Sequence, residues 1–142
     1  MDLNAQFTRP MRDELTAIGF DELRTPADVD AALAAKSGSV LVFVNSVCGC
    51  AAGMARPGMA LALQGTEVRP DRLVTVFAGQ DRDATARARE FFAEAPPSSP
   101  SIALIKDGAL VGFVPRHQIE GRMSEAVGSQ IAELLDAHCA KV

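Results

Sequence analysis

This chain of 142 residues has few cysteines, no cluster of basic residues and no long apolar run. Three cysteines are too few for the disulfide scaffold of a small secreted domain. No apolar run approaches the roughly 20 residues that cross a bilayer, and no charged segment followed by an apolar one opens the sequence. A net charge of -4 argues against nucleic-acid binding. We therefore predict a cytoplasmic protein with neither a membrane nor a nucleic acid as partner.

The composition is that of a folded globular domain. Hydrophobic residues make up 48% of the chain, which is enough for one packed core at this length. No internal repeat and no low-complexity linker divides the sequence. We predict that residues 1–142 form a single domain.

Helical and strand patterns follow one another along the chain. A first helix is predicted to start at Thr8-Arg9-Pro10 and to stop at Gly19. A second one has Thr25 as its N-cap, Pro26 at its first position, Asp28 as the capping acid and Gly38 as its end. The later elements are a strand at 40–44, a helix at 49–64 kinked at Pro57, a strand at 73–77, a helix from Asp81, strands at 101–106 and 109–114, and a terminal helix with an apolar stripe from Val127 to His138.

The order of these elements predicts the fold. A strand, a helix and a second strand form a right-handed parallel unit, and Asp107-Gly108 predicts a hairpin between the last two strands. From the strand at 40–44 onward this is the core order of a thioredoxin-like domain. We predict an α/β fold with a central mixed four-stranded sheet flanked by helices, and with two extra N-terminal helices.

Two cysteines separated by one glycine, Cys48-Gly49-Cys50, stand where the buried strand gives way to a helix. Thiolates attack disulfides, and the free N–H groups and positive dipole at a helix N-terminus stabilise negative charge. Cys48 is therefore the predicted nucleophile, and Cys50 is near enough to attack a mixed disulfide formed on it. Gly49 can take backbone angles that bring the sulfurs together, and the small ring favours a labile bridge over a structural one.

Two other interpretations of the pair stay open. Thiolates also bind zinc and copper(I), so the two cysteines can supply half of a metal site. The rest of the chain offers only Cys139, His117 and His138 as further soft ligands, which does not favour a closed zinc site. The pair can also be buried and inert, but a strand-to-helix turn usually lies at the open edge of an α/β sheet. We predict no bound metal.

A proline is predicted to lie beside the cysteines. Pro100 precedes the strand at 101–106, and it faces Cys48 if that strand pairs antiparallel with the strand at 40–44. A cis bond there leaves the neighbouring backbone free to pair with a substrate chain. We predict a cis Ser99–Pro100 bond within contact range of Cys48.

Three polar residues are candidates to support the site. Arg116 and His117 follow the last strand on the same side of the sheet. They supply positive potential to the thiolate or a proton to the leaving thiol, or else they only cap a loop. No acidic residue occurs in the strand behind the cysteines, which leaves Asn45 as the nearest polar candidate.

Cys139 lies near the end of the terminal helix, far from the pair. About 15 helical residues at 1.5 Å each carry it roughly 20 Å from the active edge. We expect it to be packed in the interior or to bridge two chains rather than to resolve Cys48. His138, on the apolar stripe near the helix C-terminus, is predicted to be structural.

Three blocks of sequence are distinctive. The first surrounds the Cys-Gly-Cys motif at residues 44–53 and continues at 55–58, and the others are residues 97–104 and 115–122. Together they resemble the bacilliredoxin A/B family, thioredoxin-like proteins that are also described as disulfide isomerases. Residues 11–15 and Cys139 extend the resemblance over nearly the whole chain.

The resemblance implies a thiol–disulfide oxidoreductase that removes bacillithiol, or a similar low-molecular-weight thiol, from S-thiolated cytosolic client proteins. In the family the first cysteine takes the small thiol and the second resolves it, which maps onto Cys48 and Cys50. The small thiol is a transient substrate, no cofactor is expected, and a reductase must regenerate the enzyme. Arg56 and Arg116 are candidate partners for anionic groups of the small thiol. The alternatives are a general protein disulfide isomerase or oxidant, and a thiolate metal-binding module that uses a partner's ligands.

Overall fold

Five strands form the central sheet of the computed structural model, which describes residues 2–141. In chain order the elements are α1 (Leu3–Thr16), β1 (Asp21–Glu22), α2 (Pro26–Leu33), β2 (Ser39–Asn45), a π-helical segment (Ala51–Ala55), α3 (Arg56–Gly65), β3 (Val68–Arg69), β4 (Arg72–Phe77), α4 (Arg82–Glu90), β5 (Ser101–Lys106), β6 (Ala109–Val114), a 3-10 turn (Arg116–Gln118), α5 (Ser124–His138) and β7 (Ala140–Lys141). The sheet order is β1-β4-β2-β5-β6, and β3 and β7 form a separate two-stranded sheet.

The central strand is β2, and all 7 of its residues are buried. It pairs parallel with β4 and antiparallel with β5, so that Val42 lies between Val74 and Ala103. Asp107 and Gly108 have positive φ values of 51° and 84°, as a tight turn between β5 and β6 requires. The predicted parallel unit and antiparallel hairpin are confirmed.

Helices cover both faces of the sheet because the side chains of β2 alternate between two cores. Leu41 and Phe43 pack into one core together with Met59 of α3. Val42 points into the other core, which includes Ala88 of α4. The cysteines follow the C-terminal end of β2, where the chain leaves the sheet.

The sheet has one strand more than the four predicted. The additional strand is β1, which has 2 residues and pairs parallel with β4 at the sheet edge. Its sequence, Asp21–Glu22, is too short and too polar to show the alternation by which a strand is recognised.

Three helix boundaries differ from those predicted, and one of them is the end of α1, which lies at Thr16 rather than at Gly19. Asp2 accepts a hydrogen bond from the Ala5 N–H at 3.1 Å and caps α1, so the helix begins at Leu3 and Pro10 lies inside it. The capping box that starts α2 is confirmed, but α2 ends at Leu33 rather than at Gly38. Within residues 2–141, no helix combines the length and the apolar character needed to cross a membrane.

The helix predicted after the cysteines is divided into two parts. In the π-helical segment the N–H of Arg56 donates to the carbonyl oxygen of Ala51. This wide turn lets α3 begin at Arg56, so that Pro57 lies in the first turn, where a proline has no intrahelical N–H bond to lose. A bend of the helix axis at Pro57 stays a prediction.

Candidate active site

The two cysteines of the motif lie at the start of the helical segment that follows β2. Gly49 and Cys50 are its first helical residues. The carbonyl oxygen of Cys48 accepts hydrogen bonds from the N–H groups of Ala51 and Ala52 at 3.1 and 3.2 Å. The Cys48 N–H donates to the Ser46 hydroxyl at 3.4 Å. Cys48 therefore stands at the N-terminal end of the helical segment, where a negative charge is favoured.

The two cysteine residues differ in their exposure. Cys48 is partly exposed, whereas Cys50 is only 7% exposed. The structure contains a disulfide between them, with Cα atoms 5.4 Å apart, an ordinary separation for such a bond. A bulky disulfide substrate can approach Cys48 from solvent, while Cys50 lies behind it.

Gly49 does not have the conformational role predicted for it. It is helical and is not among the glycines with positive φ, and a Cβ at this position would meet no atom within 4 Å. The sulfurs are brought together by ordinary helical backbone angles, which an L-residue also adopts.

A buried polar network lies directly behind the motif. Asn45 is 1% exposed, its Oδ1 accepts from the Ser46 N–H at 2.9 Å, and its Nδ2 donates to the carbonyl oxygen of Met11 at 3.2 Å. Arg56 donates from Nη1 to Asn45 Oδ1 and to the Ser46 carbonyl oxygen, both at 3.0 Å. Its Nε donates to Glu14 Oε2 at 2.8 Å. Asn45 is thus a structural member of the site, with both the oxygen and the nitrogen of its amide hydrogen-bonded.

Arg56 was predicted as a partner for anions of the small thiol, and this is wrong. Its side chain is only 2% exposed and its donors are directed at Glu14, Asn45 and Ser46. Sequence analysis missed Glu14 and Ser46 as neighbours of the motif. The one signal for this network is a single arginine in an otherwise Ala-, Met- and Leu-rich helix.

The proline predicted beside the site has the expected isomer. The Ser99–Pro100 bond is cis. Ser101 pairs with Val44, so Pro100 lies at the same end of the sheet as the C-terminal end of β2. Direct contact between Pro100 and Cys48 stays a prediction.

Arg116 and His117 lie just after β6, as predicted. Arg116 holds the loop that carries the cis proline, because its Nη1 donates to the Ser99 carbonyl oxygen at 3.3 Å and its N–H donates to the Ser98 hydroxyl at 3.3 Å. Its Nε donates to Glu120 at 3.0 Å. His117 is exposed in the 3-10 turn. These contacts fit the loop-capping role for Arg116.

Cys139 lies at the opposite end of the sheet from the pair. It is close to Ser39, the first residue of β2, whereas Cys48 follows the last residue of that strand. Since a strand rises about 3.3 Å per residue, this places the two thiols roughly 20 Å apart. Burial raises the pKa of the Cys139 thiol.

Comparison with known proteins assigns the chain to a family. A family model described as disulphide isomerase matches residues 3–139. A bacilliredoxin from Geobacillus kaustophilus is 56% identical over 131 residues, which cover 92% of this chain and 89% of the relative. A bacilliredoxin from Salinibacter ruber is 51% identical over 135 residues, covering 94% of this chain and 79% of the relative. The chain belongs to the bacilliredoxin family.

Solved structures identify the fold of this bacilliredoxin family member. Fasciola hepatica thioredoxin is 21% identical, with a TM-score of 0.56 over 84% of this chain and 99% of that one. Schistosoma mansoni thioredoxin is 18% identical, with a TM-score of 0.57 over 84% of this chain and 95% of that one. The predicted thioredoxin-like fold is confirmed. Family and fold together make the protein a thiol–disulfide oxidoreductase, whose partners are thiols or protein disulfides.

Metal coordination is the other chemistry that paired thiolates support. Among residues 2–141, no three side chains of the types His, Cys, Asp and Glu are grouped so as to hold a metal ion.

Proposed function

We propose that this protein reduces mixed disulfides between bacillithiol and cytosolic proteins, with Cys48 as the nucleophile and Cys50 as the resolving thiol. The observation that carries the proposal is the unequal exposure of two bonded cysteines at a helix N-terminus in a bacilliredoxin family member. The more exposed cysteine, Cys48, is the one assigned to attack the client. The buried cysteine, Cys50, needs only to reach its neighbour.

The reaction takes place in two exchange steps. The Cys48 thiolate attacks the small-thiol sulfur of the mixed disulfide, so that a new disulfide forms on Cys48 and the client leaves as a thiolate, which takes a proton from solvent. The Cys50 thiolate then attacks the Cys48 sulfur, which releases the small thiol as a thiolate and closes the Cys48–Cys50 bridge. Two electrons from a cytoplasmic reductase, or from two molecules of small thiol, reopen that bridge. No cofactor takes part.

Exposed apolar side chains next to the motif support a macromolecular client. Val47, directly before Cys48, is 45% exposed. An open groove of about 380 Å³ is lined by Gly53 and Met54 of the π-helical segment and by Met123, which is 73% exposed. Arg122 and Glu125 also line the groove, so it presents apolar and charged groups together to a client protein.

The experiment is turnover of a bacillithiolated client by the wild type and by alanine variants. Cys48→Ala is expected to abolish turnover, because no other sulfur accepts the small thiol. Cys50→Ala is expected to become bacillithiolated once and then to stall until a free thiol is added. Cys139→Ala is the matched control and is expected to turn over normally. Full activity of Cys48→Ala would reject the assignment, and equal rates on bacillithiolated and glutathionylated clients would reject the preference for bacillithiol.

A general disulfide isomerase or oxidant is the second candidate, because the matching family model carries the description disulphide isomerase. The reduction potential of the Cys48–Cys50 couple separates the two. A value near that of thioredoxin, about −270 mV, favours reduction of clients. A value of about −120 to −180 mV favours oxidation or isomerisation.

A further inference from the structure

A buried positive charge lies close behind the paired cysteines. The Arg56 side chain is 2% exposed, although arginine is among the residue types least often buried. Its Nη1 donates to two acceptors on neighbouring residues, Asn45 Oδ1 and the Ser46 carbonyl oxygen. Both acceptors belong to the chain that leads from β2 into the Cys-Gly-Cys turn.

The carboxylate that pairs with Arg56 is in a different environment. Glu14 is 47% exposed, whereas the guanidinium is almost completely enclosed. Water screens the carboxylate far more than the arginine. The interior behind the motif therefore keeps a partly uncompensated positive charge.

Two contacts connect this charge to Cys48. Arg56 holds the carbonyl oxygen of Ser46, and the hydroxyl of the same serine accepts the Cys48 N–H at 3.4 Å. The 3.0 Å hydrogen bond and a chain path of two residues, at most about 7 Å, place the guanidinium on the order of 10 Å from Cys48. A buried cation is screened much less than an exposed one, so Arg56 favours the thiolate over the thiol even at this longer range.

We propose that Arg56 is a positioning residue for Cys48, which holds the Asn45–Ser46 segment in place and stabilises the Cys48 thiolate by its buried charge, with Glu14 moderating that charge. The proposal deepens the function proposed above and rests on Cys48 being the nucleophile. It also makes α1, which carries Glu14, part of the active site.

The measurement is the pKa of Cys48 in a background in which Cys50 and Cys139 are replaced by alanine, read from the pH dependence of its alkylation rate. Arg56→Gln is expected to raise this pKa by about one unit, because a nearby cation is lost. Glu14→Gln is expected to lower it, because the countercharge is lost while Arg56 stays. Arg56→Lys keeps the charge without the planar set of donors, so it is expected to restore most of the pKa but not the wild-type stability.

Two controls separate this effect from general destabilisation. Asp13→Asn removes a carboxylate next to Glu14 on α1, but one that pairs with Arg9 in solvent. Arg12→Gln removes a different buried arginine, which lies in α1 and pairs with Asp81 at 2.7 Å. Neither variant is expected to move the Cys48 pKa.

Each result bears on the proposal. An unchanged Cys48 pKa in Arg56→Gln overturns it, and so does a shift of the same size in Arg12→Gln. If Arg56→Gln does not fold, Glu14→Gln decides: a lowered pKa supports the proposal and an unchanged one overturns it. Full turnover by Cys48→Ala would instead refute the proposed function, so the two failures are distinguishable.

Discussion

α3, which continues the helical segment that starts at the cysteines, approaches α5 so closely at Gly128 that only glycine fits there without displacing its neighbours. A Cβ added to Gly128 would lie 2.9 Å from the carbonyl oxygen of Gly58 and 3.2 Å from the Cβ of Leu61, both in α3. The first of these is a backbone atom, which cannot turn away as the end of a side chain can. We therefore expect Gly128→Ala to push α3 and α5 apart.

The size of the effect follows from two opposing terms. Alanine in place of glycine stabilises a helix by about 1 kcal/mol. Overpacking of a tight contact costs about 1–3 kcal/mol. Gly53→Ala is the matched control, because Gly53 is also helical but its added Cβ would meet no atom within 4 Å. Gly53→Ala gains the helix-stabilising effect without the overpacking. The difference between the unfolding free energies of the two variants is therefore the cost of the overpacked contact, about 1–3 kcal/mol.

The assay is urea unfolding of both variants and the wild type under reducing conditions, so that the Cys48–Cys50 bridge does not contribute. Each kcal/mol corresponds to roughly 2–4 °C in a parallel thermal melt of a chain of this size. The midpoint of Gly128→Ala is expected below that of the wild type or near it, and clearly below that of Gly53→Ala. Equal midpoints for the two variants would refute the reasoning, because the interface would then have room for a methyl group.

Three further outcomes are expected. Gly49→Ala should form the Cys48–Cys50 bridge and change the unfolding free energy by less than about 1 kcal/mol, because its Cβ meets nothing; failure to form the bridge would contradict this. The pKa of Asp28 is lowered, chiefly by the hydrogen bond from the Arg24 N–H, so its stabilisation is present above the ordinary Asp pKa and is lost as the pH falls through the lower folded value. The difference in urea midpoint between the wild type and Asp28→Asn should therefore disappear in acid, and a difference that persists there would count against the capping role. Because burial raises the pKa of Cys139, its alkylation in the oxidised protein should be slow at neutral pH and should speed up only in alkali; rapid labelling at neutral pH would contradict this.

Much of the fold could be predicted because its signals are local. The apolar run in β2, the Asp107-Gly108 turn and the capping box before α2 each specify an element within a few residues. The cis Ser99–Pro100 bond was predicted from the order of the strands rather than from its own sequence. The position of the cysteines at a helix start follows from the same order.

The rest depends on contacts between distant parts of the chain. Arg56 and Glu14 are 42 residues apart, and no local pattern pairs them. β1 exists only because β4 offers it an edge to pair with. Pro57 cannot donate a backbone hydrogen bond to the helical turn before it, and the π-helical segment accommodates this. The sequence alone does not show whether a helix responds to a proline with a kink or with a wide turn.

The unequal exposure of Cys48 and Cys50 also determines what a covalent probe can report. An electrophile too bulky for the interior would compete with client proteins for a single atom of the reduced enzyme. The labelled fraction in a cell extract would then count the enzyme molecules that are neither bridged nor engaged with a client, so one reagent would report the occupancy of this enzyme in that extract.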